Sequence, residues 1–333
     1  MSGTNLNPAP EARAEQRELV DKLIAALETV IVGKSHQLRL AVACMLAEGH
    51  LLIEDLPGVG KTTLAHALAK ALGLSYQRIQ FTSDLLPADI LGVSIYKRER
   101  DAFEFHPGPI FSQVILADEV NRATPKTQSA LLEGMAEGQV TIENQTHVLP
   151  GPFFVMATQN PVDLVGTFPL PDSQLDRFLL SLSLGYPDPA AERELLTSED
   201  RAAVLARTTT LLSPDDVLSL QADCERVFVS DNLLDYIQTL LRETRDERWF
   251  ETGLSPRAGI ALLRASRAHA FLEGRDYVMP EDVKAIFPGL ARHRLSPSSG
   301  FSDSSEEQIH KLLDQGIRNL PQKLDRATWL NYI

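Results

Sequence analysis

Short apolar runs alternate with segments of helical period through the first part of the chain. Five of these runs have the length of β-strands, and each is followed by turn residues or by a helix-like segment. The predicted strands are His50–Glu54, Tyr76–Phe81, Val114–Ala117, Phe153–Thr158 and Leu179–Leu184. Alternation of this kind predicts an α/β fold, with a parallel sheet covered by helices on both faces.

The pattern changes near Gly185–Pro189, where two prolines two positions apart would interrupt a helix or a central strand. Nearly every later segment has helical period. Ser213 followed by a proline and two acids predicts a helix start, and further helices are predicted at Ala258–Leu272 and from Pro280. We therefore predict an α/β domain at residues 1–190 and an all-α domain at residues 191–333.

Two segments and a pair of inserted hairpins depart from this simple picture. Residues 1–17 are polar and are expected to fray, and residues 296–305 form a low-complexity loop before a last amphipathic helix. Two β-hairpins are predicted inside the α/β domain. Their strands are Ser94–Tyr96 with Ala102–Phe105, and Val140–Ile142 with His147–Leu149.

Composition narrows the class of protein. The chain has 333 residues, a formal net charge of -13 and 44% hydrophobic residues, which is typical of a globular protein of about two domains. No run approaches about 18 apolar residues and the N-terminus lacks a signal-peptide pattern, so we expect a cytoplasmic protein without a membrane segment. The two cysteines, Cys44 and Cys224, are far apart in helical segments and are expected to be inert core residues.

The strongest chemical motif is a strand, a glycine-rich turn and a helix between Leu51 and Leu72. Glycines in such a turn let backbone N–H groups point at a phosphate, helped by the positive end of the helix dipole. Lys61 is expected to reach the β and γ phosphates of a nucleotide, and the Thr62 hydroxyl to bind Mg²⁺. The predicted nucleotide-binding residues of this turn are Pro57, Gly58, Val59, Gly60, Lys61, Thr62 and Thr63.

One position of this motif differs from the general pattern G-x-x-x-x-G-K-[ST]. Asp55 stands where the first glycine is expected. An aspartate can hold a turn by bonding to nearby backbone, so the motif remains compatible with phosphate binding. The alternative is a plain tight turn beside a surface lysine.

Two acids end the predicted strand Val114–Ala117. Adjacent acids usually mark only a solvated strand end, but here they follow a phosphate-binding turn. We therefore expect Asp118 to hold Mg²⁺ through water and Glu119 to polarise the attacking water. Asn160 follows another predicted strand and could orient that water or touch the γ phosphate, although alone it would be read as a turn residue.

These motifs, in this order and with a helical domain after them, resemble AAA+ ATPases. The residues of five segments resemble the MoxR family, which resembles the helix-2-insert branch of AAA+ proteins. The resemblance covers roughly Val30–Arg294, and the segment 117–133 is its most specific part. The segments are residues 51–62, 117–133, 157–161, 175–178 and 255–258. The two inserted hairpins also fit that branch, which includes magnesium chelatase subunits.

The resemblance implies roles that spacing alone does not show. Arg177 matches the arginine that reaches the γ phosphate of a neighbouring subunit, and Arg257 matches the second-sensor arginine of the helical lid. Val32 and Gly33 match the region that cradles adenine, and Arg122 is a weaker candidate for an intersubunit contact. Without the family, the arginines would be read as ordinary helix-end cations.

The resemblance therefore implies an ATPase that works as a ring, most simply a hexamer, and uses Mg²⁺-ATP to remodel or mature another protein. It also implies partners with a von Willebrand A domain and a role in metal insertion or complex assembly. The rival is a nucleic-acid motor of the same branch. The acidic total and the single short basic turn, at Lys97, Arg98 and Arg100, argue against that rival.

Overall fold

The computed structural model describes residues 10–160, 166–247, 250–296, 298, 309 and 313, with side chains from residue 17 onward. Helix α1 begins at Pro10, so residues 10–17 are helical rather than frayed, as an Ala- and Glu-rich segment favours. Most of the predicted loop at 296–305 lies outside the described residues, as do residues 1–9.

The centre of the fold is a five-stranded parallel sheet, as predicted. Its strands lie in the order β2 (Tyr76–Gln80), β5 (Val114–Asp118), β8 (Phe154–Gln159), β1 (Leu51–Glu54) and β9 (Leu180–Leu182). Every residue of β5 is buried, and β8 is buried up to its last residue, as expected for parallel strands covered on both faces.

Both predicted hairpins are present as separate two-stranded antiparallel sheets. The first pairs β3 (Gly92–Lys97) with β4 (Ala102–Pro107), and the second pairs β6 (Gln139–Ile142) with β7 (Gln145–Val148). The Phe105 ring stacks on the His147 ring with 4.4 Å between centroids, so the two hairpins touch.

Twelve α-helices are assigned in the described residues. They are α1 (Pro10–Val30), α2 (Ser35–Leu46), α3 (Lys61–Ala71), α4 (Pro87–Leu91), α5 (Pro125–Glu137), α6 (Asp172–Leu175), α7 (Pro189–Thr197), α8 (Arg201–Arg207), α9 (Pro214–Glu225), α10 (Asp231–Thr244), α11 (Pro256–Leu272) and α12 (Pro280–Ala291). The predicted helix starts at Ser213 and Pro280 are both observed, and Ser213 forms a capping box with Asp216.

The helices after β9 pack back onto the sheet domain rather than standing apart from it. Helix α11 lies against α2, and α12 lies against β9, so one hydrophobic core runs through both parts of the chain. The boundary predicted between residues 190 and 191 falls inside the first turn of α7, and the division into two domains stays a prediction.

Both cysteines lie in this core. Burial raises the pKa of the Cys44 and Cys224 thiols far above the usual value, so neither ionises readily.

Candidate functional site: a phosphate-binding cavity at the carboxyl edge of the sheet

A cavity of about 380 Å³ opens where strands β1, β5 and β8 end. Parallel strands all end at the same edge of a sheet, so residues distant in sequence meet there. The lining residues are Pro57, Gly58, Gly60, Lys61, Thr62, Thr63, Arg78, Gln80, Asp118, Glu119, Thr158 and Asn160.

The turn between β1 and α3 forms one wall of the cavity. Gly58 and Gly60 have φ of 85° and 96°, a left-handed conformation that only glycine adopts readily. A Cβ atom at either position would meet nothing within 4 Å, so the backbone conformation, rather than crowding, calls for glycine. Helix α3 begins at Lys61, which puts its N-terminus beside the cavity. Lys61 Nζ donates to the carbonyl oxygens of Asp55 and Leu56, at 2.8 and 3.0 Å.

Asp55, which replaces the first glycine of the motif, is buried and fully engaged. Its Oδ1 accepts from the N–H of Leu56 at 3.0 Å, the local turn bond expected from the sequence. Its Oδ2 also accepts from the N–H groups of Leu184 and Gly185, at 2.5 and 2.8 Å. The carboxylate therefore ties the phosphate-binding turn to the segment that follows β9, a role that the sequence does not reveal.

The two acids at the end of β5 are joined through one hydroxyl group. Thr158 Oγ1 donates to Asp118 Oδ1 at 2.6 Å and accepts from the backbone N–H of Glu119 at 2.8 Å. Glu119 has a φ of 56°, an uncommon conformation for a residue with a side chain. Thr158 on β8 thus fixes both the Asp118 carboxylate and the backbone from which the Glu119 side chain projects.

The carboxylate of Glu119 is held from two sides. Its Oε2 accepts from Gln80 Nε2 at 3.0 Å and from Arg122 Nη1 at 2.9 Å. Beneath this turn, the buried amide of Gln128 lies within 3.2 Å of the carbonyl oxygens of Val120, Ala123 and Phe168. Arg122 therefore contacts Glu119 within its own chain, and its intersubunit role stays a prediction.

Sequence reasoning missed Arg78 and Gln80, which reach the site from β2. Two positions apart on a strand, they share one face, and the parallel register pairs Gln80 with Asp118. Arg78 donates to Asp118 Oδ2 from Nε at 3.1 Å and from Nη2 at 2.6 Å. The two-residue spacing was the available signal, but it points to this site only once β2 is known to lie beside β5.

Asn160 lines the cavity as predicted, whereas five other predicted residues are not among its lining residues. Val59 packs against the hydrophobic core. Gly33 lies against Asp188 and Ala191, near the start of α7, and Val32 precedes it in the same turn. Arg177 is half-buried and donates to the carbonyl oxygen of Leu132, and Arg257 is exposed on the first turn of α11.

The donor set fits a nucleotide phosphate with a divalent cation. One lysine, the glycine-rich backbone and the start of α3 suit phosphate oxygens, while the Thr62 hydroxyl and the Asp118 carboxylate are hard oxygen ligands of the kind Mg²⁺ prefers. The open space beyond Gly58 and Gly60 leaves the turn accessible to such a group.

Within the described residues, no cluster of three or more His, Cys, Asp and Glu side chains could hold a metal ion by itself. The described helices also include none of the length and apolar character needed to cross a membrane.

Comparisons with known proteins agree with this geometry. The model of the ATPase family associated with various cellular activities matches residues 50–180, and the AAA lid domain model matches residues 242–312. The uncharacterized protein YeaC of Bacillus subtilis is 45% identical over 90% of this chain and 94% of its own length. Chaperone MoxR1 of Mycobacterium tuberculosis is 39% identical over 88% of this chain and 81% of its own length.

Two further relatives extend the comparison. Protein MoxR of Paracoccus denitrificans is 32% identical over 89% of this chain and 94% of its own length. The solved structure of a Cytophaga hutchinsonii protein superposes with a TM-score of 0.84 at 37% identity, over 94% of this chain and 98% of that one.

Proposed function

This chain belongs to the MoxR family of AAA+ ATPases, and on that basis we propose that it hydrolyses Mg²⁺-ATP in a ring of identical subunits to remodel or mature a partner protein. The observation that carries the catalytic part is the meeting of Lys61, Asp118 and Glu119 in one cavity, with Thr158 bridging the two acids.

Each group has a distinct task in this proposal. The glycine-rich turn and Lys61 hold the phosphates, and Thr62 and Asp118 hold Mg²⁺, which neutralises charge that develops in phosphoryl transfer. Glu119 polarises the attacking water, while Gln80 and Arg122 fix the orientation of its carboxylate. Asn160, at the end of β8, orients the same water or the γ phosphate.

The ring is proposed from the position of Arg177. Arg177 is not among the residues that line the phosphate cavity. An arginine at its position in the family serves the adjacent subunit, and such a residue supplies about 10³ to 10⁵ in rate. Activity that depends on assembly follows from this arrangement, with a hexamer as the proposed state.

The first inserted hairpin is the element we propose to face the client. The Tyr96 and Phe103 rings pair near its tip, and Phe103 is 70% exposed. The relative named Chaperone MoxR1 supports a chaperone-like role. A partner with a von Willebrand A domain and a function in metal insertion are proposed from the family alone.

The direct test of the catalytic proposal is Glu119→Gln. The glutamine amide has the size of the carboxylate and leaves the phosphate-binding residues unchanged, but it cannot polarise water. ATP binding should therefore persist while turnover falls about 10²-fold or more. Binding is measured by isothermal titration and turnover by phosphate release. Wild-type hydrolysis by this variant would refute the assignment of the base.

The ring is tested by mixing two inactive variants. Arg177→Ala keeps an intact phosphate cavity but lacks the arginine that would reach the γ phosphate in the neighbouring subunit. Lys61→Ala keeps that arginine but has a damaged phosphate cavity. Mixed rings should recover activity, because each subunit supplies what the other lacks. If the mixture forms oligomers and shows no recovery, Arg177 does not act across an interface.

A further inference from the structure

Arg294, at the end of the helical lid, forms hydrogen bonds to the segment that carries Arg177. Arg294, just after α12, has a side chain that is only 7% exposed. Its Nε donates to Asp176 Oδ1 at 2.7 Å, and its Nη2 donates to the carbonyl oxygens of Asp176 and Phe178 at 3.1 and 2.6 Å. Its Nη1 donates to the carbonyl oxygens of Leu179 and Leu290 at 3.2 and 2.7 Å.

These five bonds account for all five N–H donors of a guanidinium group. Four of them reach residues 176–179, which lie more than 110 positions earlier in the sequence, and the fifth returns to α12 itself. Arg294 therefore links the C-terminal end of helix α12 to the segment just before β9. A buried arginine with every donor used cannot be replaced by lysine without losing most of this geometry.

His293 adds a second bond to the same point. Its Nε2 lies 3.0 Å from the carbonyl oxygen of Phe178, and since a carbonyl only accepts, Nε2 carries the proton. Burial and the neighbouring charge of Arg294 lower the pKa of His293 to about 3, so the imidazole is neutral at physiological pH. Two successive lid residues thus converge on the residue that follows Arg177.

The backbone on both sides of Arg177 is fixed by these contacts. The carbonyl oxygen of Asp176 accepts from Arg294, and that of Phe178 accepts from Arg294 and His293. The Arg177 guanidinium itself donates to the carbonyl oxygen of Leu132 on α5. The direction in which Arg177 leaves the backbone therefore depends on where the end of α12 lies.

We propose that Arg294 is a positioning residue that sets the orientation of Arg177 and so couples the lid of one subunit to ATP hydrolysis in its neighbour. The inference rests on the proposed action of Arg177 across the subunit interface. A lid that shifts by about 1 Å would displace the Arg177 side chain by a similar distance. A displacement of that size can lower the rate of ATP hydrolysis about 10²-fold.

The primary test is Arg294→Gln, with Arg294→Lys and Asp176→Asn as milder variants. Asp176→Asn removes the charge partner but keeps the carbonyl acceptors, so it should fold if Arg294→Gln does not. We expect kcat of the homogeneous ring to fall about 10- to 100-fold for Arg294→Gln, with the KM for ATP changed less than about threefold, because the variant's own cavity is intact. Arg226→Gln, on an exposed lid arginine paired with Asp223, is the matched control and should keep wild-type kcat.

Mixed rings separate positioning from a general loss of structure. Lys61→Ala subunits carry a normal Arg177 and should rescue Arg294→Gln subunits, whereas Arg177→Ala subunits should not. Wild-type kcat in Arg294→Gln would overturn the inference. So would failure of Lys61→Ala to rescue it under conditions in which Lys61→Ala does rescue Arg177→Ala. If Lys61→Ala subunits rescue neither Arg177→Ala nor Arg294→Gln subunits, the proposed action of Arg177 across the subunit interface fails. The proposal on Arg294 then fails with it.

Discussion

Arg78 directs two hydrogen bonds at a single oxygen of Asp118, with Nε and Nη2 at 3.1 and 2.6 Å from Oδ2. Oδ1 of the same carboxylate accepts from Thr158 at 2.6 Å. The acid that we expect to hold Mg²⁺ therefore has a protein cation on one side and a hydroxyl donor on the other. Binding of a divalent cation through Oδ2 must compete with this arginine.

We predict that Arg78→Gln lowers the Mg²⁺ concentration needed for half-maximal ATPase activity by about fivefold. The reason is that Asp118 loses a competing charge, and an ion pair to a half-exposed arginine is worth roughly 1 kcal/mol. The measurement is a Mg²⁺ titration of phosphate release at fixed, saturating ATP. Arg100→Gln, on the exposed turn of the first hairpin, is the matched control. An unchanged or raised Mg²⁺ requirement in Arg78→Gln would show that the arginine does not compete.

Asp55→Gly restores the general phosphate-loop sequence, yet we predict that it destabilises this protein. The glycine would leave the N–H groups of Leu184 and Gly185 without their acceptor, and hydrogen bonds to a charged group contribute about 1.5 to 3 kcal/mol each. Urea denaturation followed by circular dichroism should show a free energy of unfolding lower by about 3 kcal/mol.

Asp55→Asn is the informative companion to that variant. It keeps one carbonyl oxygen but places an N–H₂ group near backbone donors, so we expect a loss between those of wild type and Asp55→Gly. A stability equal to wild type in Asp55→Gly would mean that the cross-link to the segment after β9 contributes nothing.

The sequence predicted the elements of this fold well because the relevant signals are local. The five sheet strands and both hairpins were predicted within a few residues, since buried parallel strands are continuous apolar runs. Glycines followed by Lys61 and Thr62, and the acids after Val114–Ala117, are likewise recognisable within short windows. Helix starts at Ser213 and Pro280 follow from capping chemistry that involves only neighbouring residues.

Contacts that depend on strand order could not be predicted in the same way. Thr158 meets Asp118 only because β8 lies beside β5, and Gln80 meets Glu119 only because β2 lies on the other side. Asp55 had a predictable bond to Leu56, but its bonds to residues 184 and 185 span about 130 positions. Nothing near Arg294 in sequence indicates that its partners are at 176–179.

A buried charge network in the lid gives a further prediction. Asp282 is fully buried and accepts from both Nη atoms of Arg275 at 2.6 Å, from His269 Nδ1 at 2.7 Å and from the N–H of Met279 at 2.7 Å. Burial alone would raise the pKa of Asp282, but these partners outweigh it and hold the pKa below its usual value. Asp282→Asn removes the charge that compensates Arg275.

We expect Asp282→Asn to lower the free energy of unfolding by about 3 kcal/mol, as is typical when one partner of a buried ion pair is lost. Urea denaturation is the measurement. Glu281→Gln is the control, since it removes an acid from the same first turn of α12 at an exposed position. The network would be shown to be dispensable if both variants unfolded at the same urea concentration.

His50 gives the sheet a defined dependence on pH. It lies just before β1, where its Nε2 is 3.0 Å from the carbonyl oxygen of Met135 and its Nδ1 accepts from the N–H of Val155 at 3.2 Å. This arrangement requires the neutral ring, with the proton on Nε2. Burial lowers the pKa of His50 from 6.5 to about 4, and the Met135 carbonyl opposes that shift only in part.

The folded chain therefore excludes a proton that the unfolded chain binds between these two pH values. The stability contributed by neutral His50 is fully present above pH 6.5 and is lost as the pH falls toward about 4, a change of roughly 3 kcal/mol at most.

The variant His50→Asn tests this dependence. Its side-chain oxygen can replace Nδ1 as an acceptor, but the side chain does not titrate. Its stability deficit relative to wild type should shrink by about 2 kcal/mol between pH 7 and pH 4.5 in urea denaturation. Carboxylates that titrate in the same range are common to both proteins and cancel in the difference. A deficit that stays constant with pH would mean that His50 binds protons equally in the folded and unfolded chain.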